Sequence, residues 1–137
     1  MLARVISSFG IVFVLMVWVI MCASTVGLIG EWFQVQNLAQ FLANSQAKYG
    51  GYTTIANTAL SQWNHDKGDS LQITGVSVSA AGTPVVYGTT VTAEVRCDYK
   101  ITAGTLDLVR VPIVGKGQAV SSYWPGLYSV TYTHPSY

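Results

Sequence analysis

The chain has 137 residues, 50% of them hydrophobic and only 9% charged, with a formal net charge of +1. That balance excludes nucleic acid as an expected partner, because phosphate recognition needs a clustered basic surface. Two cysteines, Cys22 in an apolar run and Cys97 far along in strand-like sequence, exclude a disulfide framework and read as small buried hydrophobes.

Met1 to Arg4 is a minimal flank, and the 26 residues from Val5 to Gly30 carry no charge. As a helix at ~1.5 Å per residue they would reach about 39 Å, enough for a hydrocarbon core of ~30 Å. β-branched residues dominate Ile11 to Met21. In lipid the backbone must satisfy its own hydrogen bonds, so a lone span is helical whatever its propensity. Three readings compete: a cleaved secretory signal, a simple anchor, and a helix that packs against copies of itself. The first fits poorly, because the run exceeds the usual ~7–15 residues and only Arg4 precedes it. Cys22-Ala23-Ser24 is a passable cleavage site, and Ile20 and Met21 are large for the approach to a lipidated Cys22. Ser7, Gly10, Ala23, Gly27 and Gly30 are small enough for close helix approach, although such residues occur in many membrane helices. For the self-packing reading the expected contact set is Val5, Phe9, Val12, Phe13, Met16, Val19, Ile20, Ala23, Gly27 and Gly30. Arg4 is expected on the cytoplasmic side, with everything after Gly30 outside.

Glu31 leaves the apolar run, followed by the interfacial aromatics Trp32 and Phe33. Val35, Leu38, Ala39 and Leu42 recur at spacings of three and four between Gln34, Gln36, Asn37, Gln40 and Asn44. This stripe continues the helix to about residue 48, where Lys48 and Gly50-Gly51 end it. Thr53 caps a second helix over about 54–64, with Ile55, Ala59 and Trp63 on one face and Ala56 and Leu60 beside them. Asn64 to Asp69 reads as a polar loop.

From Leu71 the period changes to two. Leu71, Ile73, Val76 and Val78 form a first strand, with Gly75 marking a bulge, and Ala81-Gly82-Thr83-Pro84 turns the chain. Val91, Ala93, Val95, Cys97, Tyr99 and Ile101 form the dry face of a second strand, with Thr92, Glu94, Arg96, Asp98 and Lys100 opposite. Ala103-Gly104-Thr105 turns into a third strand from Leu106, which Pro112 marks as an edge or a bulge; Gly115-Lys116-Gly117 reads as a bulge. Tyr128, Val130 and Tyr132 alternate with Ser129, Thr131 and Thr133 as a fourth strand. The expected fold is α+β. A long N-terminal hydrophobic helix continues into an amphipathic half, packed on a small C-terminal antiparallel sheet. Residues 1–30 form the transmembrane helix, or one that packs against its own copies, and 31–137 the outer α+β domain.

No catalytic, cofactor-binding or metal-ligating set emerges. His65 beside Asp66 and Asp69 lacks ligands at metal spacing, and Asp66, Gly68 and Asp69 lack the register of a calcium loop. No serine sits in a nucleophile elbow, and no glycine-rich phosphate loop precedes a helix. Tyr123, Trp124, Tyr128 and Tyr132, with Glu31, read instead as candidates for an outer subunit contact, where Tyr and Trp are enriched.

The apolar N-terminal helix, its amphipathic continuation and the β domain together resemble a type IV-like pilin. Thr90 to Val95, Tyr99-Lys100-Ile101, Val111-Pro112-Ile113, Gly115-Lys116-Gly117 and Tyr123-Trp124 are similar to a pilin-like family of Gram-positive bacteria of unsettled function. The resemblance covers mainly residues 88–124. It implies a structural subunit, without cofactor, that waits in the cytoplasmic membrane and polymerises into a helical extracellular filament of identical copies. It also implies an assembly ATPase and a platform protein as partners. Type IV pilins carry a Glu at the fifth position of the helix; this chain has Val5 there, and Glu31 lies at the far end of the span. The alternatives are a membrane-anchored minor component of a secretion or conjugation machine, and an anchored surface-binding module.

Overall fold

The computed structural model describes residues 1–137 apart from the side chain of Ala103. The elements are α1 (Leu2–Tyr49), α2 (Thr54–Lys67), β1 (Leu71–Val78), β2 (Thr90–Ala103) and β3 (Leu106–Val120). The strands make one antiparallel sheet in the order β1-β2-β3, so the fold is α+β with a long N-terminal helix. The chain divides into two compact units, Met1–Gly30 and Glu31–Tyr137.

The first unit is helical, and its large apolar side chains are open along its length; Phe9, Phe13 and Trp18 keep 66–76% of their surface. Three of its hydroxyls are satisfied within the helix. Ser8, Ser24 and Thr25 each donate 2.9 Å bonds to the carbonyls four residues back. A hydroxyl with no water to bond takes that route, so the segment is suited in length and polarity to a hydrocarbon surrounding.

The second unit holds the whole core. On α1 the buried positions are Val35, Leu38, Ala39, Leu42, Ala43, Gln46 and Ala47, the predicted stripe carried past Leu42 to the end of the helix. The sheet supplies Leu71, Ile73, Val91, Ala93, Val95, Cys97 and Ile113. The alternation predicted for β2 is present as far as Cys97: its odd positions Val91 to Cys97 are buried, and Thr92 and Arg96 face water, whereas Asp98, Tyr99, Lys100 and Ile101 are all half-buried.

Helix and sheet meet along a glycine track. A Cβ on Gly115 would stand 2.6 Å from the Val35 carbonyl oxygen, and one on Gly117 closer still to that of Ala39. The two glycines therefore remove side chains where two backbones touch. They are not the bulge expected at Gly115-Lys116-Gly117, since the pairing with Ala93, Glu94 and Val95 runs through them without a register shift. The step matches on both sides: four helical residues advance about 6 Å and two strand residues about 6.6 Å. Gln36 and Gln40 repeat the same step. Gln36 donates to the Lys116 carbonyl at 2.6 Å and accepts from the Lys116 N–H at 3.1 Å, while Gln40 donates to the Gln118 carbonyl at 3.1 Å. Side-chain amides thus cover part of the outer edge of β3.

Three further expectations need correction. First, α2 runs through Asn64 to Lys67, the stretch read as a loop. Those residues are polar but include no breaker before Gly68, and Gln62 bonds Asp66 at 3.1 Å one turn on. Second, α2 buries Ala56 and Leu60, whereas Ile55 is 56% exposed and Trp63 half-buried, so its dry face is rotated from the Ile55-Ala59-Trp63 line. Third, Tyr128 to Thr133 is not a fourth strand; it makes one bridge, Thr53 with Tyr132. Its backbone bonds are spent on the α1–α2 connection, Thr131 accepting from Thr54 and Thr133 donating to Tyr52, each at 3.0 Å. That connection turns at Gly50, with φ +81° and the Tyr123 ring where a side chain would be. The cap at Thr53 is as expected, its hydroxyl accepting from Ala56 N–H at 3.4 Å. The bulge expected near Gly75 falls between Ile73 and Gly75, and β3, which carries Pro112, is an edge strand.

Candidate functional site

The residues expected in a filament core lie along the first unit at spacings of three, four and one. Val5, Phe9, Val12, Phe13, Met16, Val19 and Ile20 are 55–76% exposed, and Ala23, Gly27 and Gly30 are exposed too. Ile6, Ile11, Val14 and Leu15 are as open, so the apolar surface runs round the helix rather than along one stripe. Gly10 and Gly30 have open space where a Cβ would be.

The residues expected at an outer contact do not converge. Tyr132 donates to the Tyr49 carbonyl at 2.7 Å, and Tyr128 packs edge-on to Tyr49 at 5.2 Å. The Lys48 ammonium lies 5.1 Å from the Tyr49 ring centre and 5.7 Å from that of Tyr128. Burial, then the neighbouring Tyr123 phenol, pushes the Tyr132 phenol up to about 12. This cluster ties the C-terminal tail to the end of α1. Trp124 belongs elsewhere: 65% exposed and edge-on to Tyr87 at 6.4 Å, it lines an apolar cleft of about 310 Å³ with Pro84, Val86 and Tyr123. One oxygen of Glu31 is buried without a hydrogen-bond partner among the described residues.

A groove that sequence reasoning missed lies between the outer half of α1 and α2. It measures about 380 Å³ and is lined by Gln34, Asn37, Leu38, Phe41, Ala59 and Trp63, all uncharged. The signal was present in Phe41, which falls outside the buried stripe of α1 yet is aromatic and 46% exposed.

The other polar features are structural. On the wet face of the sheet Glu94 bonds Arg96 at 2.7 Å and lies 3.6 Å from Lys116. The Arg96 hydrogen bond, then the charges of Arg96 and Lys116, hold its carboxyl below the ordinary range. Burial, with Asp98 nearby, pushes the Cys97 thiol up to about 12, which keeps it un-ionised and unreactive at neutral pH. No group of three His, Cys, Asp or Glu able to hold a metal ion occurs among the described residues. No family model matches the chain, and no curated protein or solved structure does either.

Proposed function

We propose that the chain is a pilin subunit, a non-enzymatic building block that polymerises through its N-terminal helix into a helical extracellular filament. One observation carries this reading: every fully buried residue lies at Val35 or beyond, while the apolar helix before it is open on all sides. So much exposed apolar surface demands a cover. Lipid supplies it before assembly and sister helices afterwards. The exchange gains little apolar burial, because lipid and protein are similarly apolar, so close packing and contacts between outer units drive it. Residues 31–137 would then coat the filament, with an assembly ATPase and a platform protein supplying the work.

The test is electron microscopy of material sheared from cells expressing the chain, with antibody against residues 31–137. Labelled filaments are the expected result. A chain recovered only as a detergent-solubilised monomer or small oligomer overturns the reading in favour of a membrane anchor.

A further inference from the structure

We propose that Arg4 of one copy pairs with Glu31 of the next, and that this pair sets the axial register between neighbouring subunits. The inference rests on the filament reading and adds to it the contact that fixes the stagger.

Helix α1 carries three charges in 48 residues: Arg4, Glu31 and Lys48. Lys48 is engaged over the rings of Tyr49 and Tyr128. Arg4 has no ion pair among the described residues, and one oxygen of Glu31 is buried with no partner. A guanidinium drawn into a bundle of apolar helices is costly unless an anion meets it. Glu31 is the first acidic residue of the chain, and the next is Asp66 on α2. Parallel helices packed without an offset would place Arg4 against Arg4 and Glu31 against Glu31, which repel. An offset of 27 positions, from residue 4 to residue 31, sets opposite charges together. At ~1.5 Å per residue that is a stagger of about 40 Å.

The same offset seats the neighbour's N-terminal segment against the α1–α2 groove. Gln34 is one turn beyond Glu31 on α1, and Ser7 one turn beyond Arg4, so Ser7 comes opposite Gln34 at the groove's lining. Ser7 and Ser8 lie one turn beyond Arg4 and have small side chains, which allows close approach. The groove is uncharged, as is the segment from Val5 onward that it would receive.

The experiment uses filaments of the full chain carrying Arg4→Lys, which keeps the charge and supplies an amine. Treatment with a water-soluble carbodiimide is expected to give a covalent ladder and a cross-linked peptide joining position 4 to Glu31. Adding Glu31→Gln should remove that peptide. Glu31→Gln alone should lower filament yield about tenfold and blur the axial repeat in diffraction, with the unfolding temperature of the detergent-solubilised chain unchanged. Filaments that form without a coupling between positions 4 and 31, or Glu31→Gln filaments of unchanged yield and repeat, overturn the pairing and leave the filament standing. Absence of filaments from the unmodified chain overturns both.

Discussion

At the scale of single residues, Gly115 and Gly117 let the backbone of β3 lie against the backbone of α1. Because the obstructing atoms are the backbone of Val35 and Ala39, neither partner can swing aside. Gly117→Ala should therefore destabilise residues 31–137 by about 2–4 kcal/mol, read as a fall in unfolding temperature. Gly10→Ala, made where a Cβ meets nothing, should leave that temperature unchanged. Gln46 is the buried counterpart. Its amide donates to the Thr92 carbonyl at 3.3 Å and accepts from the Ala80 N–H at 3.1 Å. Gln46→Leu leaves the Ala80 N–H unpaired and should cost about 1–3 kcal/mol in denaturant unfolding. The alkaline response is set by Tyr52, Tyr132 and Cys97, all raised to about 12, burial being the first cause of each. Each holds its proton more tightly when folded, so its contribution is complete below the ordinary values of 9.0 for Cys97 and 10.0 for the tyrosines. It is lost as pH rises from there towards 12. The unfolding temperature should thus fall steeply above about pH 9–10, and a flat profile across that range would contradict the burial.

At the scale of elements, β3 is an edge strand that is partly covered and partly blunted. Gln36 and Gln40 cap it at Lys116 and Gln118. Further toward its start, Pro112 offers no N–H, and Leu108 is the extra residue where the pairing shifts between Ile101 and Thr102. Replacing both Gln36 and Gln40 with Ala should reopen the capped stretch, lowering stability by about 1–2 kcal/mol and giving thioflavin-positive aggregates on standing. The elements themselves were largely legible. Uncharged length gave the first half of α1, period-four spacing its second half, and strict alternation gave β2, because each depends on local order in the chain. What was not legible depended on a partner. Gly115 and Gly117 look like a bulge until the helix backbone is placed on them. Tyr128 to Thr133 alternates like a strand, but the nearest backbone groups lie in the α1–α2 connection. Neighbouring positions on α2 stand about 100° apart, and with Ile55 beside Ala56 and Ala59 beside Leu60 both faces are apolar in sequence, so periodicity does not choose between them. The groove beside Phe41 and Trp63 needed two helices in register before it existed.

At the scale of the whole molecule, the division of labour is between a helix that has no core of its own and a unit that needs none of the helix's first thirty residues to complete its core. A fragment of residues 31–137 should be a soluble monomer that unfolds in a single cooperative step, whereas the full chain should require detergent. Light scattering after size exclusion and a circular dichroism melt check both, and a fragment without a melting transition would mean that the first unit contributes to the fold. The contact between α1 and β3 has a mechanical consequence. Val35 to Gly115 and Ala39 to Gly117 advance in the same chain direction, with Gln36 and Gln40 as rungs between them. A pull along the axis of α1 therefore reaches the sheet as shear, loading the rungs together instead of peeling them one by one. Tensile strength then resides in a few side-chain amides and two missing methyl groups.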